Sequence, residues 1–185
     1  DDGGHAHRAI RLHRSLIELP GGDLLATAYG AFKADRIPSA YQAKMMKLRS
    51  LLFRSSDGGK DWNLVSTIAV GDVGSEGFNE PVLCRLSNGP HVGRLICLMR
   101  TGRDLHQAVS DDEGATWSEA KPVAFSGIDI HDTERWRQYL DTKDAWVRGY
   151  PVASGAVVDP DLVELENGIL ACAIGVRIPE KACFR

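Results

Sequence analysis

Long apolar runs and clusters of positive charge are both absent from this 185-residue sequence. No apolar stretch approaches the roughly 20 residues that a membrane-spanning helix needs, so we expect no membrane span. Lys and Arg total 22 against 25 Asp and Glu, and they form no basic stripe, which argues against nucleic acid as a partner. Hydrophobic residues make up 43% and charged residues 25%, as in an ordinary globular protein, and the length predicts one domain.

Metal-binding patterns are missing as well. The four cysteines form no CxxC pair and the six histidines form no HExxH motif, so the sequence predicts neither a zinc site nor a cofactor. Three of the cysteines, Cys84, Cys97 and Cys172, lie in apolar stretches typical of strands, and the fourth is Cys183. We interpret those three as buried free thiols.

What the sequence does contain is an internal repeat. Three segments place a Gly-containing turn between two short apolar strands: ELPGGDLLATAYG from Glu18, RLSNGPHVGRLICLMRTG from Arg85 and ELENGILACAIGVR from Glu164. Asn88-Gly89 and Asn167-Gly168 are typical of hairpin turns, because Asn and Gly tolerate positive φ. Two further strands follow in the first two units. Four short antiparallel strands per unit predict the blades of an all-β propeller.

We expect one partial propeller domain over residues 1–185. Blade one covers about residues 10–72 and blade two about 78–126, and blade three starts within about 157–185. An insertion at about 127–155 has the pattern of a short helix, and a smaller one, Ala31–Lys47, has the character of a flap. About two and a half blades are fewer than the roughly 4–8 that close a ring, so the chain is expected to be part of a longer protein.

An eight-residue motif occurs in both complete units, as SSDGGKDW at 55–62 and SDDEGATW at 110–117. It falls between the third and fourth strands and has the residues of a tight turn. Ser and Asp side chains accept hydrogen bonds from turn N–H groups, Gly supplies positive φ, and Trp packs under the hairpin. Because each complete blade carries the motif, we interpret Asp57 and Asp112 as structural rather than catalytic.

Polar residues that differ between the units are better candidates for a site. Aligning the units on the leucine before each turn makes three polar residues equivalent at the start of the first strand: His13, Glu80 and Asp159. The second strand of unit two ends in Arg100, where the other units have Tyr29 and Ile174. A blade does not need this arginine, so we expect a site around it.

The motif S-x-D-x-G-x-T-W, complete at 110–117, resembles the Asp-box, or BNR repeat, of the sialidase (neuraminidase) superfamily. The resemblance implies a six-bladed propeller and a glycoside hydrolase that cleaves a terminal, acidic sugar from glycans. The segment NEPVLCRL matches the family's Asn-Glu, which implies that Glu80 assists a tyrosine nucleophile expected beyond Arg185. It also implies that Arg100, with Asn79, binds the substrate, since Arg pairs with a sugar carboxylate through two hydrogen bonds.

Two further residues enter through the same resemblance. Asp35, on the loop after LLATAYGAF, occupies the position of the family's acid/base aspartate. Arg14 is the arginine nearest to the place of the family's Arg-Ile-Pro triplet, which is not found there, and is a candidate for substrate binding. The family favours a secreted or periplasmic protein, although the N-terminus, DDGGHAHRAI, has no secretory-signal pattern.

Two alternatives stay open. One is a non-catalytic propeller that binds a glycan or a protein. The other is a propeller exo-glycosidase acting on neutral sugars, such as an arabinan-type enzyme, because Tyr29-Gly30-Ala31 replaces the Glu-x-Arg that follows the first hairpin in the family. A glycan is the expected partner of the enzyme, and no oligomeric state is predicted.

Overall fold

A computed structural model describes residues 7–40, 44–101, 104–123, 157–178 and 181–184. Within these residues the chain is β-structure with one short 3₁₀ turn, Gly89–His91, and no α-helix. Its strands, in chain order, are β1 (His7–Glu18), β2 (Leu24–Phe32), β3 (Arg49–Ser55), β4 (Asn63–Ala69), β5 (Asn79–Arg85), β6 (Leu95–Arg100), β7 (Leu105–Ser110), β8 (Lys121–Pro122), β9 (Val157–Glu164), β10 (Leu170–Ile178) and β11 (Lys181–Phe184). The predicted all-β class is confirmed, and the insertion predicted at 127–155 lies outside the described residues.

The strands form three sheets in the order of the chain. Strands β1–β4 make the first four-stranded sheet, β5–β8 make the second, and β9–β11 make a three-stranded sheet. Neighbouring strands within each sheet pair antiparallel. Each sheet is therefore an up-and-down meander, the unit from which propellers are built.

The sheets pack face to face around two apolar layers. The layer between the first and second sheets includes Leu25, Leu52, Leu83 and Met99. The layer between the second and third sheets includes Val82, Leu98, Val157 and Ile174. Strand β6, LICLMR, is buried along its whole length because it lies inside the second sheet and between both layers. Each fully buried leucine of this kind contributes about 1.5–3 kcal/mol.

The first strand of each sheet lies against the first strand of the next. Ser15 Oγ on β1 accepts the Leu83 N–H of β5 at 2.6 Å. On the next junction, the Glu164 carboxylate of β9 accepts the Ser87 N–H at 2.6 Å and the Asn88 N–H at 3.2 Å. Strands β1, β5 and β9 are thus the inner strands of three successive blades, held together by directed bonds as well as by apolar packing.

Both eight-residue motifs form the turn between the third and fourth strands, as predicted. In the first turn motif (Ser55–Trp62) and the second (Ser110–Trp117), the serine Oγ accepts the glycine N–H at 2.9 Å. The aspartate accepts an N–H four residues along, at 3.0 and 2.9 Å, and the tryptophan Nε1 donates to the glycine carbonyl at 3.0 and 3.1 Å. The glycines, Gly59 and Gly114, have φ of 89° and 86°. The residues that the two copies share are therefore those that close the turn.

The second turn motif also docks the second sheet onto the first. Ser66 Oγ, on β4, donates to the Gly114 carbonyl at 2.6 Å and accepts from Trp117 Nε1 at 3.0 Å. A Cβ on Gly114 would stand 2.0 Å from Leu52 Cδ2. At the surface, Arg54 Nη1 lies 3.1 Å from the Glu113 carboxylate. One turn therefore serves both its own blade and the junction between blades.

Cys84 and Cys97 match the predicted buried free thiols, whereas Cys172 is free but less buried than predicted. Burial raises the pKa of Cys172 to about 11, helped by the charge of Asp161, and burial raises the pKa of Cys97 further. In the described part of the chain, no helix has the length and apolarity needed to cross a bilayer.

Candidate functional site

The predicted site residues of the second sheet lie at the rim opposite the repeated turns. Antiparallel pairing places Asn79, the first residue of β5, beside Arg100, the last residue of β6. Arg100 pairs in turn with Leu105 at the start of β7, whereas the second turn motif begins at Ser110, where β7 ends. Glu80 and Arg100 therefore converge at the rim opposite the turn motifs.

Three residues with positive φ mark equivalent places in the three inner strands. Arg14, Glu80 and Asp159 have φ of 48°, 43° and 51°. Each lies where the pairing register shifts, between residues 12 and 16 of β1, 79 and 82 of β5, and 158 and 161 of β9. This backbone conformation costs a non-glycine residue about 1–2 kcal/mol, and bulges of this kind re-aim a side chain, often beside an active site.

The register of β1 corrects one expected equivalence. The repeat pattern predicts His13 as the counterpart of Glu80, but the positive φ falls on Arg14. Across the irregular pairing of β1, the chain advances four residues on β1 and two on its partner β2. Across the irregular pairing of β5, it advances three residues on β5 and two on its partner β6. The additional residue displaces the equivalence by one position. His13 instead places Nδ1 3.2 Å from the Pro81 carbonyl and its ring edge against Tyr29.

The three re-aimed residues form one continuous set of contacts across the sheets. Arg14 Nη2 lies 2.9 Å from Asp159 Oδ1. The Asp159 N–H donates to Glu80 Oε2 at 3.1 Å, and Arg100 Nη1 donates to Glu80 Oε1 at 2.8 Å. The structure thus brings together Arg14, Glu80, Arg100 and Asp159, all of which the sequence singled out.

The residues of this set differ in how exposed their side chains are. The Arg14 and Asp159 side chains are 43% and 45% exposed. Glu80 is 16% exposed and Arg100 is 5% exposed. A ligand at this rim can therefore reach Arg14 and Asp159 directly and Glu80 in part, while Arg100 lies behind them.

A buried glutamate that sequence reasoning missed lies next to Arg100. Glu76 Oε1 accepts from Arg100 Nη2 at 2.7 Å, and Glu76 Oε2 accepts from Asn79 Nδ2 at 2.5 Å. Counted as whole residues, Glu76, Asn79 and Arg100 are 4%, 2% and 4% exposed. Asn79 and Arg100, both predicted to bind substrate, thus give their donors to protein carboxylates. No local pattern marks Glu76, because it lies in a loop and its partner Arg100 is 24 residues away at the end of β6.

Asp35 belongs to a separate cluster, in the first sheet. Its carboxylate accepts the Phe32 N–H at 2.7 Å and pairs with Arg49, whose guanidinium lies over the Phe32 ring. Burial alone raises the pKa of Asp35, but the hydrogen bonds from Arg49 and the Phe32 N–H, with the charges of Arg49 and Arg36, outweigh burial and hold the pKa below its ordinary value. A general acid working near neutral pH needs the opposite shift. The acid/base role of Asp35 stays a prediction, with this electrostatic argument against it.

The groups that meet at the rim are carboxylates and guanidiniums. In the described residues, no group of three or more His, Cys, Asp and Glu side chains is placed to hold a metal ion. The arrangement offers an oriented carboxylate, Glu80, beside a more exposed one, Asp159. Such a pair can transfer protons to and from a bound ligand or attack it directly.

No protein-family model and no curated protein matches this chain. Solved structures do. A protein of unknown function from Dyadobacter fermentans is 19% identical, with a TM-score of 0.58 over 89% of this chain and 34% of that chain. An α-L-arabinanase from Penicillium chrysogenum is 23% identical, with a TM-score of 0.54 over 89% and 41%. An α-L-arabinofuranosidase from Fusarium graminearum is 19% identical, with a TM-score of 0.57 over 89% and 40%.

The arabinanase and the arabinofuranosidase are sialidase-like β-propellers, and this chain has the same fold. The chain spans between 34% and 41% of the length of these three structures. The predicted sialidase-like propeller and its partial extent are therefore confirmed. A sialidase from Trypanosoma rangeli also matches, at 15% identity and a TM-score of 0.49 over 98% of this chain and 23% of that chain.

Proposed function

We propose that this chain forms part of the active site of an exo-acting glycoside hydrolase, and that the sugar it cleaves is neutral rather than acidic. The observation that carries the proposal is the convergence of Glu80 and Asp159 from equivalent bulges of neighbouring inner strands. The names of two solved structures with this fold, an arabinanase and an arabinofuranosidase, support the class of reaction.

Glu80 has the geometry of a catalytic carboxyl group whose two oxygens are both held in place. Glycosidases generally use two carboxyl groups, one ionised and one that donates a proton to the leaving oxygen. Glu80 Oε1 accepts from Arg100 and Oε2 accepts from the Asp159 N–H, so both oxygens are directed by the protein. A neutral sugar does not repel a carboxylate, so in this proposal Glu80 itself attacks the anomeric carbon or activates the water that does.

Asp159 is the second carboxyl group in this proposal, in preference to Asp35. Its side chain is 45% exposed beside Glu80, so a leaving oxygen or a sugar hydroxyl can reach it. Arg14 holds one of its oxygens at 2.9 Å and thereby sets its direction. Asp35 is also paired with an arginine, Arg49, but its side chain is only 14% exposed and it belongs to a separate cluster. We assign Asp159 to proton transfer and Arg14 to its positioning and to contact with sugar hydroxyls.

The pairing of the rim arginines favours a neutral substrate. A sugar carboxylate is attracted less strongly to an arginine whose charge is already balanced by a protein carboxylate. Three arginines of this rim each pair with protein carboxylates: Arg14 with Asp159, Arg49 with Asp35, and Arg100 with Glu76 and Glu80. An acidic sugar would approach the protein carboxylates of these pairs as well as the arginines, whereas the hydroxyl groups of a neutral sugar are not repelled by either.

The test is sugar release by the full-length protein from linear arabinan and arabinobiose, beside 3′-sialyllactose. We expect hydrolysis of an arabinoside, reduced about 10³-fold in Glu80→Gln and in Asp159→Asn. Asp35→Asn is the matched control, and it should keep kcat within about tenfold of the parent, since loss of a positioning pair costs less than loss of a reacting group. Thermal melting of each variant separates lost chemistry from lost folding. Glu80-dependent cleavage of the sialoside in preference to the arabinosides would reverse the choice of substrate.

A further inference from the structure

We infer that Glu76 is a positioning residue for Glu80, acting through the guanidinium that the two carboxylates share. Its catalytic consequence rests on the proposed function, but the contact geometry does not. Arg100 Nη2 bonds Glu76 at 2.7 Å while Nη1 bonds Glu80 at 2.8 Å. A guanidinium is a rigid planar fork, so fixing one arm fixes the direction of the other. Glu76 thereby sets where the Glu80 carboxylate is held.

Because the ion pair between Glu76 and Arg100 is buried, it strongly affects where Arg100 lies relative to Glu80. Both side chains are 5% exposed, so little water competes for the bond. If Glu76 were uncharged, the buried cation would be compensated by Glu80 alone, and an uncompensated buried charge is costly. Arg100 would then be drawn toward Glu80 and away from its present place. Glu76 thus keeps the Arg100 guanidinium in its buried position, while Glu80 faces the ligand.

The other oxygen of Glu76 is held as well. Asn79 Nδ2 donates to Glu76 Oε2 at 2.5 Å, and Asn79 directly precedes Glu80 at the start of β5. The positions of Glu76 and Glu80 are therefore linked twice, once through Arg100 and once through the strand itself. A side chain with both oxygens anchored in a buried place has little freedom to follow a mobile partner.

The loop that carries Glu76 is clamped by the insertion of the first blade. The Leu48 N–H donates to the Glu76 carbonyl at 2.7 Å, and the Ala40 N–H donates to the Ser75 carbonyl at 2.9 Å. Lys47 Nζ donates to the Gly74 carbonyl at 2.6 Å. The insertion predicted as a flap over Ala31–Lys47 thus packs, in its described residues, as a brace behind the site.

Gly74 fits the same loop against the end of β6. It has φ of 50°, and a Cβ there would lie 1.9 Å from the Thr101 carbonyl oxygen, one residue after Arg100. This close approach of two backbones brings Glu76 within reach of the Arg100 guanidinium. Three features therefore determine the distance between Glu76 and Arg100. They are the backbone hydrogen bonds that hold the loop, the close contact of Gly74 with Thr101, and the side-chain bonds of Glu76.

The experiment compares Glu76→Gln with Glu113→Gln. Both replace a glutamate that pairs with arginine, but Glu113 lies at the opposite rim and is 50% exposed. In Glu76→Gln we expect kcat to fall about 10–100-fold with KM nearly unchanged, because a misplaced reacting group slows the chemistry while a buried residue touches no substrate. Glu113→Gln should alter neither constant.

A second readout needs no substrate. In ¹⁵N spectra of the protein, the Arg100 Nη–H signals should be resolved when both arms are held and should collapse in Glu76→Gln, while Glu113→Gln leaves them resolved. Unchanged Arg100 signals in Glu76→Gln would overturn the inference. Collapsed signals in a protein that hydrolyses no glycoside would uphold the positioning contact and sink the proposed function instead. Should Glu76→Gln fail to fold, Asn79→Leu releases one oxygen of Glu76 and should broaden the same signals, and unaltered signals there would also overturn the inference.

Discussion

The two rims of these sheets repeat in different ways. At the rim of the turn motifs, the same side chains make the same hydrogen bonds in both complete blades, with serine to glycine at 2.9 Å each time. At the opposite rim the backbone distortion is what repeats, as a positive φ in each inner strand, while the side chains are Arg14, Glu80 and Asp159. The first rim closes the turn of both complete blades with the same bonds. The second uses a common backbone device to bring unlike groups together.

A smaller difference separates the two turns themselves. Gly114 approaches Leu52 of the neighbouring sheet so closely that a Cβ would stand 2.0 Å from Leu52 Cδ2. A Cβ on Gly59 would meet Leu24 at 3.6 Å and Trp62 at 3.7 Å, which are ordinary contacts. The two turns thus have the same local hydrogen bonds, but the second also packs tightly against the neighbouring blade.

The largest expected effect is on kcat/KM, and it appears when one carboxylate on each rim is replaced by an amide. In the full-length protein, Glu80→Gln should lower kcat/KM about 10³-fold with little change in melting temperature. Asp112→Asn should lower the melting temperature and leave kcat/KM within about twofold, since a turn cap touches no substrate. Steady-state kinetics and thermal melts on both variants measure this. If Asp112→Asn melts like the parent and is inactive, the division between the rims fails.

The next effect separates the two turns. Gly114→Ala should destabilise the chain by about 3 kcal/mol, because strain at positive φ adds to a clash with the fully buried Leu52. Gly59→Ala should cost about 1 kcal/mol, from the backbone strain alone. Urea unfolding of both variants gives the two values. Equal losses would show that the second turn bears no load at the junction.

Acid should weaken the turn rim in a defined pH window. Hydrogen bonds from the Thr116 side chain and N–H, then from Ser110, lower the pKa of Asp112 from 3.8 to about 2. A carboxyl group whose folded pKa is depressed contributes stability that is fully present above 3.8 and is lost as pH falls toward about 2. Urea midpoints measured between these limits should therefore fall with pH, and less steeply in Asp112→Asn. An equal slope in that variant would assign the acid sensitivity to other carboxylates.

The smallest expected effect concerns the surface pair beside the second turn. Arg54 and Glu113 are 38% and 50% exposed, and exposed pairs of this kind contribute between zero and about 1 kcal/mol. Glu113→Gln should therefore change the free energy of unfolding by about 0.5 kcal/mol or less, with the loss reduced further in high salt. A change as large as that of Gly114→Ala would mean that the ion pair, not the close packing at Gly114, joins the blades.

Much of the fold could be predicted because its signals are short-range. The glycines of the hairpins, Gly89 and Gly168, have φ of 75° and 79°, as the Asn-Gly pairs indicated. At the candidate site, Glu80 and Arg100 could be singled out as departures from the repeat, and their role there stays a prediction. Their contacts were not predictable, since Arg100 was expected to face a sugar and instead bonds Glu76 and Glu80. The register shift that exchanges His13 for Arg14 follows from strand pairing and leaves no mark on the repeat.

By itself the sequence determined the blades and their turns, because every bond that closes a turn motif lies within eight residues, from Ser55 to Trp62 and from Ser110 to Trp117. Only the tertiary structure decided which polar groups meet at the other rim. The Asp159 N–H reaches Glu80 across 79 residues of chain, and Glu76 reaches Arg100 across 24. Such pairs form when packed sheets bring separate inner strands side by side and bulges turn their side chains. Packing and register depend on all the strands at once, so no single stretch of sequence encodes them.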